Sequence, residues 1–102
     1  FDQYANRKDG VVVDFFGQPA GTFKSPALLA LSTGAPVIPC CSWREPDGTH
    51  VLRFEEPLPL IEGTDAGEAI RQNTRAYNAA LEQMLLRHPE QWIWMHRRWK
   101  PV

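Results

Sequence analysis

The side chains with chemistry to offer fall in three places: the adjacent thiols Cys40 and Cys41, the end of an apolar run at Phe15-Phe16-Gly17, and a basic, aromatic stretch from Arg87 to Lys100. A cysteine attacks as its thiolate, and a thiolate forms beside a histidine, a cation or a metal. Cys40 and Cys41 lie in the apolar run Val37-Ile38-Pro39-Cys40-Cys41 with no histidine or cation beside them in sequence, so covalent catalysis is not expected of them. Two buried thiols are expected instead of a strained vicinal disulfide or a metal site, which favours a reducing, cytosolic setting. His96 has no partnered carboxylate in sequence and reads as a structural or solvated histidine.

From residue 87 onward, Arg87, Arg97, Arg98 and Lys100 stand against Glu90 alone, so four cations and one carboxylate give this segment +3. Trp92, Trp94 and Trp99 are interleaved with them. At a membrane interface the tryptophans would sit at headgroup depth and the cations on phosphates. The spacing of Trp92, Met95 and Trp99 by three and four equally suits packing under a helix. Packing is the expectation for most of the tryptophans, and an anionic partner or membrane surface for Arg97, Arg98 and Lys100.

These residues need elements to hold them. Val11 to Phe16 is a β-branched and aromatic run closed by Gly17, which predicts a buried strand, whereas Gln18-Pro19-Ala20-Gly21-Thr22 has loop composition. Ser25 and Pro26 open a short helix through Thr33 that stops at Gly34. Val37 to Trp43 reads as a second strand, and the order strand, helix, strand predicts a crossover joining parallel neighbours. Pro46-Asp47-Gly48 predicts a turn into His50-Val51-Leu52-Arg53-Phe54-Glu55, so this strand pair forms an antiparallel hairpin on the same sheet. Asp65 and Glu68 open a long helix in which Ala69, Ile70, Tyr77, Leu81 and Met84 share an apolar face. Arg71, Gln72, Arg75, Asn78, Glu82 and Arg87 are expected on its solvent face. Pro89 is expected to start a further helical turn through Trp94. The fold class is α/β, with a mixed, partly parallel sheet flanked by helices.

Ligands of open α/β sheets gather beyond the carboxyl ends of parallel strands, which nominates Phe15, Phe16 and Gly17 as substrate contacts. Asp2 and Gln3, at another strand end, join them with less weight, since polar turn residues also account for them. Pro39 removes a ladder donor from its strand and marks an edge or bulge.

Composition limits the functions on offer. The 102 residues are 43% hydrophobic and 23% charged, the profile of one globular domain. Eleven basic residues against twelve acidic ones give a net charge of -1, so no global field draws the chain to nucleic acid. No apolar stretch approaches the roughly 20 residues of a spanning helix. The opening at Phe1-Asp2-Gln3 reads as the end of an element begun upstream, that is, as part of a longer chain.

The closing segment His88-Pro89-Glu90-Gln91-Trp92-Ile93-Trp94-Met95-His96-Arg97-Arg98-Trp99-Lys100 resembles the C-terminal signature of bacterial lipid A biosynthesis acyltransferases. Asp2-Gln3, Gly10 to Ala20 and Ala30 to Pro39 are similar to further segments of that family, in its order and approximate spacing. More distantly, Phe23-Lys24-Ser25-Pro26 through Pro39-Cys40 resembles the helix and Val-Pro-Val strand of glycerolipid acyltransferases, with Cys40 in place of the final Val. Phe15-Phe16-Gly17 stands where those enzymes carry Glu-Gly-Thr-Arg, so their phosphate-binding arginine has no counterpart here.

The resemblance implies transfer of a fatty acyl group from an acyl carrier protein thioester to a hydroxyl of a lipid A precursor or related membrane glycolipid, mannosylated inositol lipids included. It implies no metal or organic cofactor, a place on the cytoplasmic face of the bacterial inner membrane, and a role for Pro39 in shaping the substrate pocket. The family's base is the histidine of a His-x4-Asp or His-x4-Glu motif. His50 and Glu55 match it by letters, but strand positions five apart face opposite ways, and the family's motif lies upstream of the segments quoted. No catalytic residue is therefore assigned, and the chain alone is expected to be inactive. The alternatives are a non-catalytic module that binds glycolipid or carrier protein, and a structural α/β domain.

Overall fold

The computed structural model describes residues 10–63 and 65–89. Two β-hairpins and two helices follow in the order β1 (Gly10–Phe15), β2 (Gln18–Phe23), α1 (Ser25–Thr33), β3 (Cys40–Arg44), β4 (His50–Phe54) and α2 (Ala66–Arg87). The class is mixed α/β, as expected. The expected single, partly parallel sheet is not what the described residues form: β1 pairs with β2 and β3 with β4, each antiparallel, in two separate sheets.

The reason lies at Phe16 and Gly17, which both take positive φ, +52° and +77°. Two successive left-handed residues make the turn that matches the right-handed twist of a hairpin. The chain therefore folds straight back, and the segment with loop composition becomes β2, Gly10 opposite Phe23 and Phe15 opposite Gln18. Pro19 is tolerated there because every strand of a two-stranded sheet is an edge.

Helix α1 begins one residue earlier than its capping signal predicts. Lys24 occupies the cap position without a side-chain hydrogen bond, and Ser25 is already helical. Gly34 ends the helix in the left-handed conformation, its N–H donating to the Ala30 carbonyl at 2.8 Å. Beyond it, Val37 forms an isolated bridge to Leu58 and the Pro39 carbonyl accepts from Glu55 N–H at 2.8 Å. Pro39 has no N–H to return, so β3 starts only at Cys40. The β3–β4 turn forms at Pro46-Asp47-Gly48 as expected, with Asp47 Oδ1 accepting from Thr49 N–H at 2.9 Å. That hydrogen bond holds the Asp47 carboxyl below its ordinary range.

Asp65 caps α2 by accepting from Gly67 and Glu68 N–H. The core lies where β1, β2, α1 and α2 meet, around Val13, Phe15, Ala20, Ala27, Ala30 and Ala69. Phe15 is fully buried, with its ring centroid 4.8 Å from that of Phe16. The expectation of two buried thiols fails. Cys40 is exposed and Cys41 half-buried, both unoxidised, because successive residues of β3 face opposite sides of a two-stranded sheet and neither side is fully covered. The expected helical turn through Trp94, and with it Trp92, Trp99 and His96, lies outside the described residues.

Candidate functional site

Helix α2 has a polar row through its buried face. Thr74, Asn78 and Glu82 are spaced by four, and Asn73 lies beside Thr74. Asn78 is 2% exposed and donates to the Asp14 carbonyl and to Thr22 Oγ1, both at 3.2 Å. Glu82 Oε1 accepts from Phe16 N–H at 2.7 Å and lies 3.5 Å from Arg75 Nη1. Asn73 is fully buried and clasps Ile61, accepting from its N–H at 3.0 Å and donating to its carbonyl at 2.8 Å. Asn78 and Glu82, expected on the solvent face, instead face β1 and its turn and are polar contacts by which α2 holds the β1–β2 hairpin. The signal was present in the spacing, since Asn78 is flanked at i−4 by Thr74 and at i+3 by Leu81, both facing the interior.

An apolar cleft of about 390 Å³ lies along the same side of α2. Its walls are Phe23 at the end of β2, Pro26 at the start of α1, Val37 to Pro39 and the first residue of β3, Cys40, and Tyr77, Leu81 and Met84 of α2. A space of this size and lining suits an aliphatic chain. Thr74 Oγ1 and Tyr77 Oη are buried in its wall and find no hydrogen-bond partner among the described residues. Burial also pushes the Tyr77 phenol above its ordinary range, which keeps it neutral. A second, wider hollow runs on the other side of α2, where apolar Val12, Val13 and Ile61 are mixed with charged Asp14, Arg71 and Arg75.

Of the residues nominated from sequence, Pro39 lines the apolar cleft. Phe15 is in the core, Phe16 is half-buried and Gly17 is exposed at the hairpin tip, so these three are not brought to that cleft. Asp2, Gln3, Arg97, Arg98 and Lys100 lie outside the described residues. His50 and Glu55 stand at opposite ends of β4: His50 faces Arg44 across the ladder, whereas Glu55 is held by Arg53 Nε at 3.0 Å and Arg87 Nη1 at 2.6 Å. The two do not form a base and its orienting carboxylate. Among the described residues no cluster of three or more metal-ligating side chains occurs, and no helix is long and apolar enough to cross a membrane.

Comparison with known proteins gives the family of the sequence. The chain is 32% identical over 92 residues to the phosphatidylinositol mannoside acyltransferase of Mycobacterium tuberculosis, covering 90% of this chain and 27% of that protein. It is 31% identical over 98 residues to the lipid A biosynthesis lauroyltransferase of Escherichia coli, covering 95% of this chain and 31% of that protein. It is also 29% identical over 92 residues to the phosphatidylinositol mannoside acyltransferase of Mycolicibacterium smegmatis. The chain therefore spans less than a third of the length of these relatives. Residues 1–101 match the family described as bacterial lipid A biosynthesis acyltransferase, and the chain belongs to that family.

Proposed function

We propose that this chain forms part of an enzyme that moves a fatty acyl group from an acyl carrier protein thioester to a hydroxyl of a lipid A precursor or related membrane glycolipid. The reaction takes place on the cytoplasmic face of the bacterial inner membrane. The apolar cleft beside Pro39 carries this reading, because a transferase of acyl groups needs a water-free channel for the chain, and its walls come from β2, α1, the segment before β3, and α2. A histidine base outside this chain takes the proton of the acceptor hydroxyl, the oxygen attacks the thioester carbonyl, and the thiol of the carrier leaves as the tetrahedral intermediate collapses. Pro39 shapes the chain channel, while Phe16, Gly17 and, with less weight, Asp2 and Gln3 border the substrate, and the fully buried Phe15 backs them from the core. Arg97, Arg98 and Lys100 meet the acidic carrier or lipid phosphates.

The test uses the complete reading frame that encodes these residues, assayed with acyl carrier protein thioesters of graded chain length. Leu81→Trp, which fills the cleft, shifts preference toward shorter chains, and an unchanged preference would remove the cleft from the acyl path. A second reading, a non-catalytic binding module, is favoured by the separation of His50 from Glu55. A His-x4-Asp or His-x4-Glu in the remainder of the frame, with turnover abolished on replacing that histidine, decides for the enzyme.

A further inference from the structure

A hairpin turn with two positive φ values favours asparagine or glycine at its first position and glycine at its second. Gly17 satisfies the second, but the first is Phe16 at φ +52°, a conformation that a bulky side chain resists. Such a residue persists when its surroundings hold it, and positions of this kind cluster at functional sites. The restraint here is Glu82. Its carboxylate comes from 66 residues away to accept Phe16 N–H at 2.7 Å, although its side chain is only 14% exposed. Removing a carboxylate this far from water is costly without charge compensation, which Arg75 supplies from one side. Asn78, one turn earlier on α2, fixes the Asp14 carbonyl two residues before Phe16, so the strand end and its turn are held at two points.

An Asn-Gly turn would close the same hairpin without strain and without a buried carboxylate. What asparagine lacks is the ring. We propose that Glu82 is a positioning residue, pinning the Phe16–Gly17 turn so that the half-buried Phe16 ring borders the acyl-bearing substrate. This rests on the acyltransferase reading above, and it assigns to the hairpin tip a contact separate from the cleft at Pro39.

Three variants of the complete reading frame test it: Glu82→Ala, Glu82→Gln and Phe16→Asn, assayed with dodecanoyl carrier protein alongside amide exchange at Phe16. Glu82→Ala is expected to speed Phe16 amide exchange and lower kcat/KM, each by roughly tenfold, mainly through KM, while Glu82→Gln, which still accepts the N–H, stays within about threefold. Phe16→Asn is expected to keep Tm at or above the parent value and still lose roughly tenfold in kcat/KM. Wild-type kcat/KM in Phe16→Asn or in Glu82→Ala overturns the proposal. So does a Glu82→Gln protein as impaired as Glu82→Ala with an equal drop in Tm, which would reduce Glu82 to a folding role. No turnover in the parent protein sinks the acyltransferase reading and the ring's substrate contact with it, whereas a working parent with an unimpaired Phe16→Asn sinks this inference alone.

Discussion

The two hairpins have the same architecture and opposite situations. The β1–β2 hairpin carries Val13, Phe15 and Ala20 into the core, and α2 grips its backbone through Asn78 and Glu82. The β3–β4 hairpin touches α2 at the helix's last turn, where Arg87 meets Glu55 and His88 stacks on Trp43 with ring centroids 4.6 Å apart. Its other face leaves Leu52 62% and Phe54 66% exposed. A two-stranded hairpin is marginal in water unless something packs on it. The difference leads to the expectation that the partner of a hairpin's second face, more than its strand pairing, decides whether it belongs to the cooperative unit.

The sharpest test of that contrast is a pair of truncations. Phe15→Ala removes a fully buried ring and should cost about 3–5 kcal/mol in urea denaturation, whereas Phe54→Ala should stay within about 0.5 kcal/mol. Equal costs would dissolve the distinction between the hairpins. Next comes Asn78→Ala, which leaves the Asp14 carbonyl without the amide and should cost about 1–3 kcal/mol. A negligible cost would show that the β1–β2 hairpin is held by its apolar face alone.

A smaller effect separates the turns. A Cβ at Gly17 or Gly48 meets nothing within 4 Å, so Gly17→Ala and Gly48→Ala each add only backbone strain, about 1–2 kcal/mol. The prediction is that Gly17→Ala lowers global stability while Gly48→Ala appears as faster amide exchange confined to residues 40–54. The smallest effect is electrostatic. The hydrogen bond from Arg87, with the charges of Arg53 and Arg87 adding, holds the Glu55 carboxyl below its ordinary 4.5. A depressed acid contributes stability that is present above its unfolded pKa and is lost as pH falls through the folded value. Acidification below 4.5 should therefore loosen the β3–β4 hairpin from α2, seen as a change in Trp43 emission, and Glu55→Gln should abolish that transition.

Much of this was legible in the sequence. Asp65 as a cap, Gly34 as a stop and Pro46-Asp47-Gly48 as a turn each act through local chemistry, and each stands where it was read. The family, too, was readable from the string of residues, over nearly the whole chain. Strand β2 was not, because Gln18, Pro19 and Gly21 have little strand preference and pair only once Phe16 adopts a conformation that its own side chain disfavours. The polar row on α2 was missed for a related reason. Periodicity sorts residues by polarity, and Asn78 and Glu82 are buried because the backbone opposite them has a carbonyl and an N–H to be met. Among the sites, the chemistry of Pro39 marked a strand edge and only the family resemblance put it at a pocket, whereas the cleft it borders depends on how α2 lies against the segment before β3.

The clasp between Asn73 and Ile61 works as a two-letter code. One amide reads both the donor and the acceptor of a single residue twelve positions away, so a carboxylate, which only accepts, or a hydrocarbon at 73 misreads at least one letter. The start of α2 is consequently keyed to the loop before it. Chimaeras that exchange α2 between relatives should carry Ile61 with it, and an insertion of one residue within α2 ahead of Asn73 would turn the amide away from Ile61.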